Sequence, residues 1–336
     1  MTLEELTAFF SSLGLPTFRA RQVWQWVQQK GVDDFAAMTN LPVSLRDKLE
    51  EVCLIPGCAI EKRSVSALDP TVKFLFRLHD GELIESVLMQ YKYGYSLCVS
   101  TQVGCRMNCA FCATGKGGVI RNLSAGEILG QIHAAQQSEN VRVSHIVLMG
   151  MGEPFDNYDN VLRFLRLVND ESSLNIGMRN ISLSTCGVVP GIEKLEREDL
   201  QLTLSVSLHA PNDQIRSSIM PINRKYPIHE LMRACRHYAS ATSRRISYEY
   251  AMFSGVNDSD ECAHELAALL KGTLSHINLI PANDVTESGL CSSSPERIRA
   301  FADILQRDGR NVTVRRSLGG DIDASCGQLR SKHLKS

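Results

Sequence analysis

Apolar residues in the first fifty positions recur at helical spacing. Leu3, Leu6, Phe9, Phe10 and Leu13 make one face, closed by Gly14 and Pro16. Val23, Trp24, Trp26 and Val27 belong to a second helix that Gly31 ends. A third lies within 35–49, with Asn40-Leu41-Pro42 as a turn before Ser44. After residue 60 the pattern changes to alternation. Stretches 73–78 and 83–89 read as strands, and Asp80-Gly81 between them is a hairpin signal. Glu85 lies in the second arm beside Ile84, Val87 and Leu88. Either it is a carboxylate kept in apolar surroundings, as a general base would be, or it alternates outward to water.

From residue 96 strands and helices take turns. Strand-like runs cover 97–101, 145–149, 181–185, 202–208, 246–252 and 276–280, with a last one at 312–316. Helical patterns cover 125–135, 161–168, 192–195, 228–238, 262–270 and 295–305. This alternation predicts an α/β fold with a parallel sheet and crossover helices. Six units fit a partial (βα)6 barrel better than a closed eight-unit one. The expected organisation is a helical N-terminal domain (1–60), a β-hairpin linker carrying Glu85 (61–90), a barrel core (91–320), and a C-terminal loop and tail carrying Cys326 (321–336).

A chain of 336 residues, 43% hydrophobic and 22% charged, has the composition of a soluble globular protein. No apolar run approaches the ~20 residues that span a membrane, and Met1-Thr2-Leu3-Glu4-Glu5-Leu6 lacks a signal-peptide core. A cytoplasmic protein with no membrane association is expected. Eleven cysteines then read as reduced thiols for metals or chemistry. A net charge of −1 gives no overall basic footprint for nucleic acid. RNA contacts would rest on local groups such as Arg19, Arg21, Lys30, Arg46 and Lys48, which serve equally well as a solvated helix surface.

The strongest chemical signal is Cys105-x3-Cys109-x2-Cys112. Thiolates suit zinc or an iron–sulfur cluster. Structural zinc takes four protein ligands, and the next histidine, His133, lies well along a helix. Three ligands on a [4Fe–4S] cluster leave one iron open to a small molecule; a zinc knuckle with a distant fourth ligand is the alternative. The cysteine loop follows the first barrel strand, at the end where barrel chemistry sits. Other polar residues fall at the same end. Gly150-Met151-Gly152-Glu153-Pro154 offers close backbone approach and a carboxylate for an ammonium. Ser184, Ser207-Leu208-His209 and Asn283 end later strands, and together these predict a ligand site. Two further cysteines stand apart: Cys98 in the first strand and Cys326 in a glycine-flanked loop, Gly320 to Gly327. A lone cysteine is usually a small buried hydrophobe. That reading fits Cys53, Cys58, Cys186, Cys235, Cys262 and Cys291, and fits Cys326 less well.

Taken together, these motifs resemble the RlmN family of radical S-adenosylmethionine (SAM) RNA adenine C2-methyltransferases. The resemblance rests on Leu97-Cys98-Val99-Ser100-Thr101-Gln102-Val103-Gly104-Cys105, the three-cysteine array, Met149–Phe155 and Ser207–Asn212. Met220-Pro221-Ile222-Asn223, Ile277–Pro281 and Gly320–Leu329 complete it. It runs from the N-terminal helices to the tail, with mild departures at Gly320 and Ser325. The sister Cfr family, which methylates C8, shares most of the motifs; the run 91–104 is more similar to the C2 enzymes. The resemblance implies a radical-SAM core with one [4Fe–4S] cluster on Cys105, Cys109 and Cys112, and two SAM per turnover. It also implies SAM contacts at Gly152, Glu153, Ser184, Ser207, Leu208, His209 and Asn283. By the same resemblance Cys326 carries the methyl group, Glu85 is the base, and Cys98 releases the product by forming a disulfide with Cys326. The implied partners are 23S rRNA, tRNA and an electron donor such as flavodoxin or ferredoxin, with the enzyme a monomer. A radical-SAM activase of glycyl-radical enzymes would need the same cluster but not the Cys98/Cys326 pair. A zinc-stabilised RNA-binding module would need no SAM.

Overall fold

Thr2 starts the first helix, α1 (Leu3–Ser12): its hydroxyl accepts from the Glu5 amide while the Glu5 carboxylate accepts from the Thr2 amide. Helix α2 (Phe18–Trp24) runs into a π-helical turn, Gln25–Gln29, and α3 (Val43–Val52) follows a short 3-10 turn at Phe35–Ala37. Phe10, Val23, Phe35, Met38, Leu45 and Leu49 bury against one another as a small core of their own. Trp24 belongs instead to the main core, and its indole N–H donates to Ser172 Oγ at 3.2 Å. This computed structural model describes residues 1–282, 289–325 and 327–329, so Asn283 and Cys326 lie outside the described residues.

Ten strands form one open sheet. Strands β1 (Ala59–Val65), β2 (Thr71–Arg77), β3 (Leu83–Tyr91) and β4 (Gly94–Cys98) pair antiparallel in sequence order. Next come β5 (Gln102–Gly104) and β6 (Val119–Asn122), a separate two-stranded ribbon that closes the cysteine loop. The main sheet continues from β4 in parallel through β7 (Val143–Leu148), β8 (Ile181–Thr185), β9 (Thr203–Ser207), β10 (Ile246–Met252), β11 (Ser275–Pro281) and β12 (Val312–Val314). The crossovers carry α4 (Ala125–Glu139), α5 (Tyr158–Asn169), α6 (Val189–Glu196), α7 (Asp213–Ile219), α8 (Ile228–Thr242), α9 (Asp260–Leu269) and α10 (Pro295–Arg307). Six strands are each followed by a helix, which is the partial barrel that the alternation predicts.

Two details refine the expectation. The hairpin read as a linker joins the barrel sheet itself, because β3 pairs with β4 along its second half. Residues 83–89 are all buried, both faces being covered, and the alternation therefore does not send Glu85 to water. The first barrel strand ends at Cys98 rather than Thr101. Beyond it the chain turns, the Ser100 hydroxyl donating to the Glu85 carbonyl and the Thr101 amide to the Met151 carbonyl.

Helix α4 packs its His133 against Gly31 of the N-terminal helices, where any side chain in place of the glycine would collide with the imidazole. Burial lowers the pKa of His133 from 6.5 to about 4. The unfolded chain therefore binds a proton that the folded chain refuses in the window between those values. Stability from this residue is present above pH 6.5 and is lost as pH falls toward 4, on the order of 3 kcal/mol in full. Thermal unfolding followed from pH 7 to pH 4 should show a steep acid loss, and His133→Phe should flatten it.

Candidate active site

Strand register gathers the first group of residues. Lys73 pairs with Val87 across β2 and β3, and Val87 with Cys98 across β3 and β4. Directly paired residues point to the same face, and so does a residue two places along a strand. Lys73, Glu85, Val87 and Cys98 therefore share one face of the sheet. Glu85 and Cys98 are both buried, and Lys73 Nζ lies 3.4 Å from Glu85 Oε1. A crevice of about 40 Å³ on this face is lined by Val87, Cys98, Met149 and Ser325. Ser325 is the residue before Cys326, so the chain brings the C-terminal loop up to Cys98.

That loop is held on both sides of Cys326. Before it, the Asp321 carboxylate accepts from Ser66 Oγ at 2.7 Å and the Ala67 amide at 2.8 Å; the Gly319 amide donates to Asp69 Oδ2 at 2.9 Å, and Lys73 Nζ donates to the Asp323 carbonyl at 3.1 Å. After it, the Gly327 carbonyl accepts from the Ala113 amide at 2.8 Å and the Leu329 carbonyl from Thr114 Oγ1 at 2.5 Å. Among the described residues no cysteine forms a disulfide.

The cysteine loop leaves the β5–β6 ribbon with the Cys105 amide donating to the Gly118 carbonyl at 2.7 Å. Arg106 grips both oxygens of Asp156 at 2.5 and 2.7 Å, and the Ala110 amide donates to the Ile219 carbonyl, tying the loop to two later barrel turns. Cys105, Cys109 and Cys112 line one cavity of about 160 Å³ together with Gly152, Glu153, Ser184, Ser207 and His209. Gly150 and Gly152 permit this closeness. A Cβ on either would lie 2.7 Å from Val99 backbone or Gln102 side-chain atoms, and Gly152 has a φ of +106°. Leu208, also expected at the ligand, is fully buried in the hydrophobic core and does not line the cavity.

The carboxylate of Glu153 is enclosed, its oxygens accepting from the Cys186 amide at 2.8 Å and the Phe155 amide at 3.1 Å, and burial raises its pKa. His209 adopts a left-handed φ of +55° where its amide and that of Leu208 both donate to the Glu249 carbonyl. Its Nδ1 accepts from the Ala251 amide at 2.9 Å, which fixes the tautomer with the proton on Nε2. Burial first, and the Arg216 charge second, hold its pKa down to about 3, so the ring is a neutral donor at any ordinary pH.

Three features at or behind the cavity escape a reading of the sequence. Arg216, fully buried, donates to the carbonyls of Cys186, Ser207 and Leu208 and to Asn223 Oδ1, joining the ends of β8 and β9. Glu249 lines the cavity with its carboxylate held by Asn278 Nδ2 at 2.7 Å and Ser247 Oγ at 3.0 Å, and burial raises its pKa. Cys186, assigned no role above, also lines the cavity. A polar residue inside an apolar strand is the signal that marks Glu249; nothing local marks Arg216.

The residues fit an iron–sulfur cluster with a bound small molecule. Burial pushes the Cys105 thiol up to about 12 and that of Cys109 higher still, so thiolates there require a cation beside them. Among the described residues no three His, Cys, Asp or Glu side chains close around a single metal ion. The cavity beyond the cysteines supplies an acceptor in Glu153, a fixed donor in His209 and two serine hydroxyls, as a zwitterionic nucleoside such as SAM requires.

Comparison with known proteins agrees with this geometry. The family model described as the Radical SAM superfamily matches residues 99–267, and that of the ribosomal RNA large subunit methyltransferase N-terminal domain matches residues 1–55. A "Probable dual-specificity RNA methyltransferase RlmN" from Desulforamulus reducens is 54% identical over 329 residues, which is 98% of this chain and 94% of that protein. Another, from Thermoanaerobacter sp., is 50% identical over 335 residues, covering 100% of this chain and 98% of the relative. The crystal structure of a radical SAM methyltransferase from Sphaerobacter thermophilus superposes with a TM-score of 0.94 at 46% identity, covering 98% of each chain. On both the site and these relatives, the chain belongs to the RlmN family of radical-SAM RNA methyltransferases.

Proposed function

We propose that this SAM-dependent RNA methyltransferase places a methyl group on C2 of an adenosine in 23S rRNA, and also in tRNA, through a methylcysteine on Cys326. The observation that carries the reading is the shared face of Glu85 and Cys98 under the C-terminal loop, next to the three-cysteine cavity. A C2–H carbon lies between two ring nitrogens and is too electron-poor to attack a sulfonium methyl. The cluster and SAM, held by Cys105, Cys109, Cys112 and the cavity residues, would supply the adenosyl radical that makes a methyl carbon reactive. Two SAM are used, one as methyl source and one as radical source.

The chain's own groups do the rest. Cys326, as a thiolate, takes the methyl group from the first SAM by displacement of S-adenosylhomocysteine. Once activated, the same carbon bonds to C2 and tethers the RNA to the protein. Glu85 accepts the C2 proton while the adduct gives up its unpaired electron, for which the cluster would be the acceptor. Cys98 Sγ then attacks Cys326 Sγ; an S–S bond forms, the S–CH2 bond breaks, and its electron pair stays with carbon, which takes a proton to become the new methyl group. Glu153 would receive the SAM ammonium, and His209 Nε2–H, Ser184, Ser207 and Asn283 its remaining polar groups.

The test is the product. RNA from a strain lacking its own enzyme, supplied with this one, would be digested to nucleosides and compared by mass spectrometry with 2- and 8-methyladenosine standards. The expected product is 2-methyladenosine from both rRNA and tRNA. A product holding only 8-methyladenosine would assign the Cfr regiochemistry, and methyl-free RNA from tRNA pools would restrict the substrate to rRNA.

A further inference from the structure

Lys73 has no part in the chemistry described so far, yet it stands between two of its members. Its Nζ lies 3.4 Å from Glu85 Oε1 and donates to the Asp323 carbonyl at 3.1 Å. The first contact reaches the base; the second reaches the loop three residues before Cys326. Register places the side chain on the same face as Glu85 and Cys98, and it is largely buried there, 15% of it exposed. A lysine ammonium has three donors and no acceptor, so it can hold a carboxylate and a carbonyl together. Leaving such a group enclosed without both partners would be costly. On an exposed hairpin the same pair would be a weak surface contact; enclosed, it fixes geometry.

We propose that Lys73 is a positioning residue that couples the base to the methyl-carrying loop: its ammonium holds the Asp323 carbonyl and the Glu85 carboxylate at once, so that Glu85 is set in place when the loop is seated. The inference rests on the reading of Glu85 as the base and Cys326 as the carrier. It adds a residue that lines neither the three-cysteine cavity nor the crevice at Cys98. The rest of the loop's anchoring supports this division. The contacts of Asp321, Gly319, Gly327 and Leu329 seat the loop on the β1–β2 turn and on the cysteine loop. The Lys73 link joins the loop to Glu85.

The test compares reconstituted wild type, Lys73→Met, Lys73→Gln, Lys73→Arg and Glu85→Gln. One readout is a single anaerobic turnover with labelled RNA, in which a denaturing gel separates covalent protein–RNA adduct from released product. The other needs no turnover: the rate at which iodoacetamide alkylates Cys326, mapped by peptide mass spectrometry. Lys73→Met and Lys73→Gln should form adduct and release it at least tenfold more slowly than wild type, and should expose Cys326 to alkylation several-fold faster. Lys73→Arg should restore much of both, because a guanidinium keeps the charge and the donors. Glu85→Gln should stall at the adduct but alkylate at the wild-type rate, since the Asp323 contact remains. A residue that merely supported the fold would not be rescued by arginine in both readouts. If Glu85→Gln stalls while both neutral Lys73 variants release RNA like wild type, the coupling is wrong and the base reading stands. Wild-type alkylation in those variants also overturns the coupling. If Glu85→Gln itself releases RNA normally, the base reading falls first.

Discussion

Alanine at Cys98 should leave the enzyme joined to its RNA. In the proposed sequence every step before release uses other groups: the methyl group goes to Cys326, the new bond forms at C2, and Glu85 takes the proton. Only the attack on Cys326 Sγ needs the Cys98 thiolate. The variant should therefore accumulate a covalent adduct and complete fewer than about one turnover per enzyme molecule. Cys326→Ala lacks the carrier and should give neither adduct nor product, and the double variant should match it. A denaturing gel of labelled RNA after one anaerobic turnover reads all three. The geometry required is ordinary: the two Cα atoms must come within about 7 Å for a disulfide. Cys98 is buried on the sheet face where Ser325 lines the same crevice, which puts the loop at the correct strand. Repeated turnover by Cys98→Ala, or an adduct from Cys326→Ala, would refute this assignment of roles.

The second large effect is expected at the cysteine loop. Cys105→Ala, Cys109→Ala and Cys112→Ala should each abolish reductive cleavage of SAM, because each removes one of three thiolates and no replacement stands on the loop. Cys186 is the natural candidate for a substitute, since it lines the same cavity. It stands apart from the cysteine loop, just past the end of β8, where its amide donates to Glu153. Reconstituted protein should show the absorbance of an iron–sulfur cluster in the parent and little of it in the variants. Appearance of 5′-deoxyadenosine at the parental rate from any one variant would remove that cysteine from the ligand set.

What the sequence made legible follows from how local each signal is. The strands at 181–185 and 246–252 match β8 and β10 residue for residue, because each is a short apolar run between turn signals. The three cysteines are legible because cluster ligands come from one short loop. Glu85 was ambiguous for a physical reason. Alternation predicts one wet face, and β3 has none, being covered on both sides once the hairpin joins the barrel. Arg216 was invisible. On α7 it sits between Ile215 and Ser217 like any surface arginine, and only the assembled ends of β8 and β9 supply the carbonyls it holds. Lys73 was hidden in the same way, since its meaning depends on register with β3 and on a loop some 250 residues later. Asn283 and Cys326, both legible as candidates from their motifs, fall outside the described residues.

The cysteine loop has a second duty. Its last turn receives the backbone of residues 327 and 329 through Ala113 and Thr114, immediately after the three cysteines. The cysteine loop and the C-terminal loop thus share a foundation. Whatever rearranges residues 105–112, whether loss of iron, oxidation of a ligand or a substitution, also disturbs the seat of the segment that follows Cys326. On the proposed roles, dependence on iron would extend beyond radical generation to the acceptor thiol, so that an iron-starved cell would hold few copies with a methyl group already loaded and waiting.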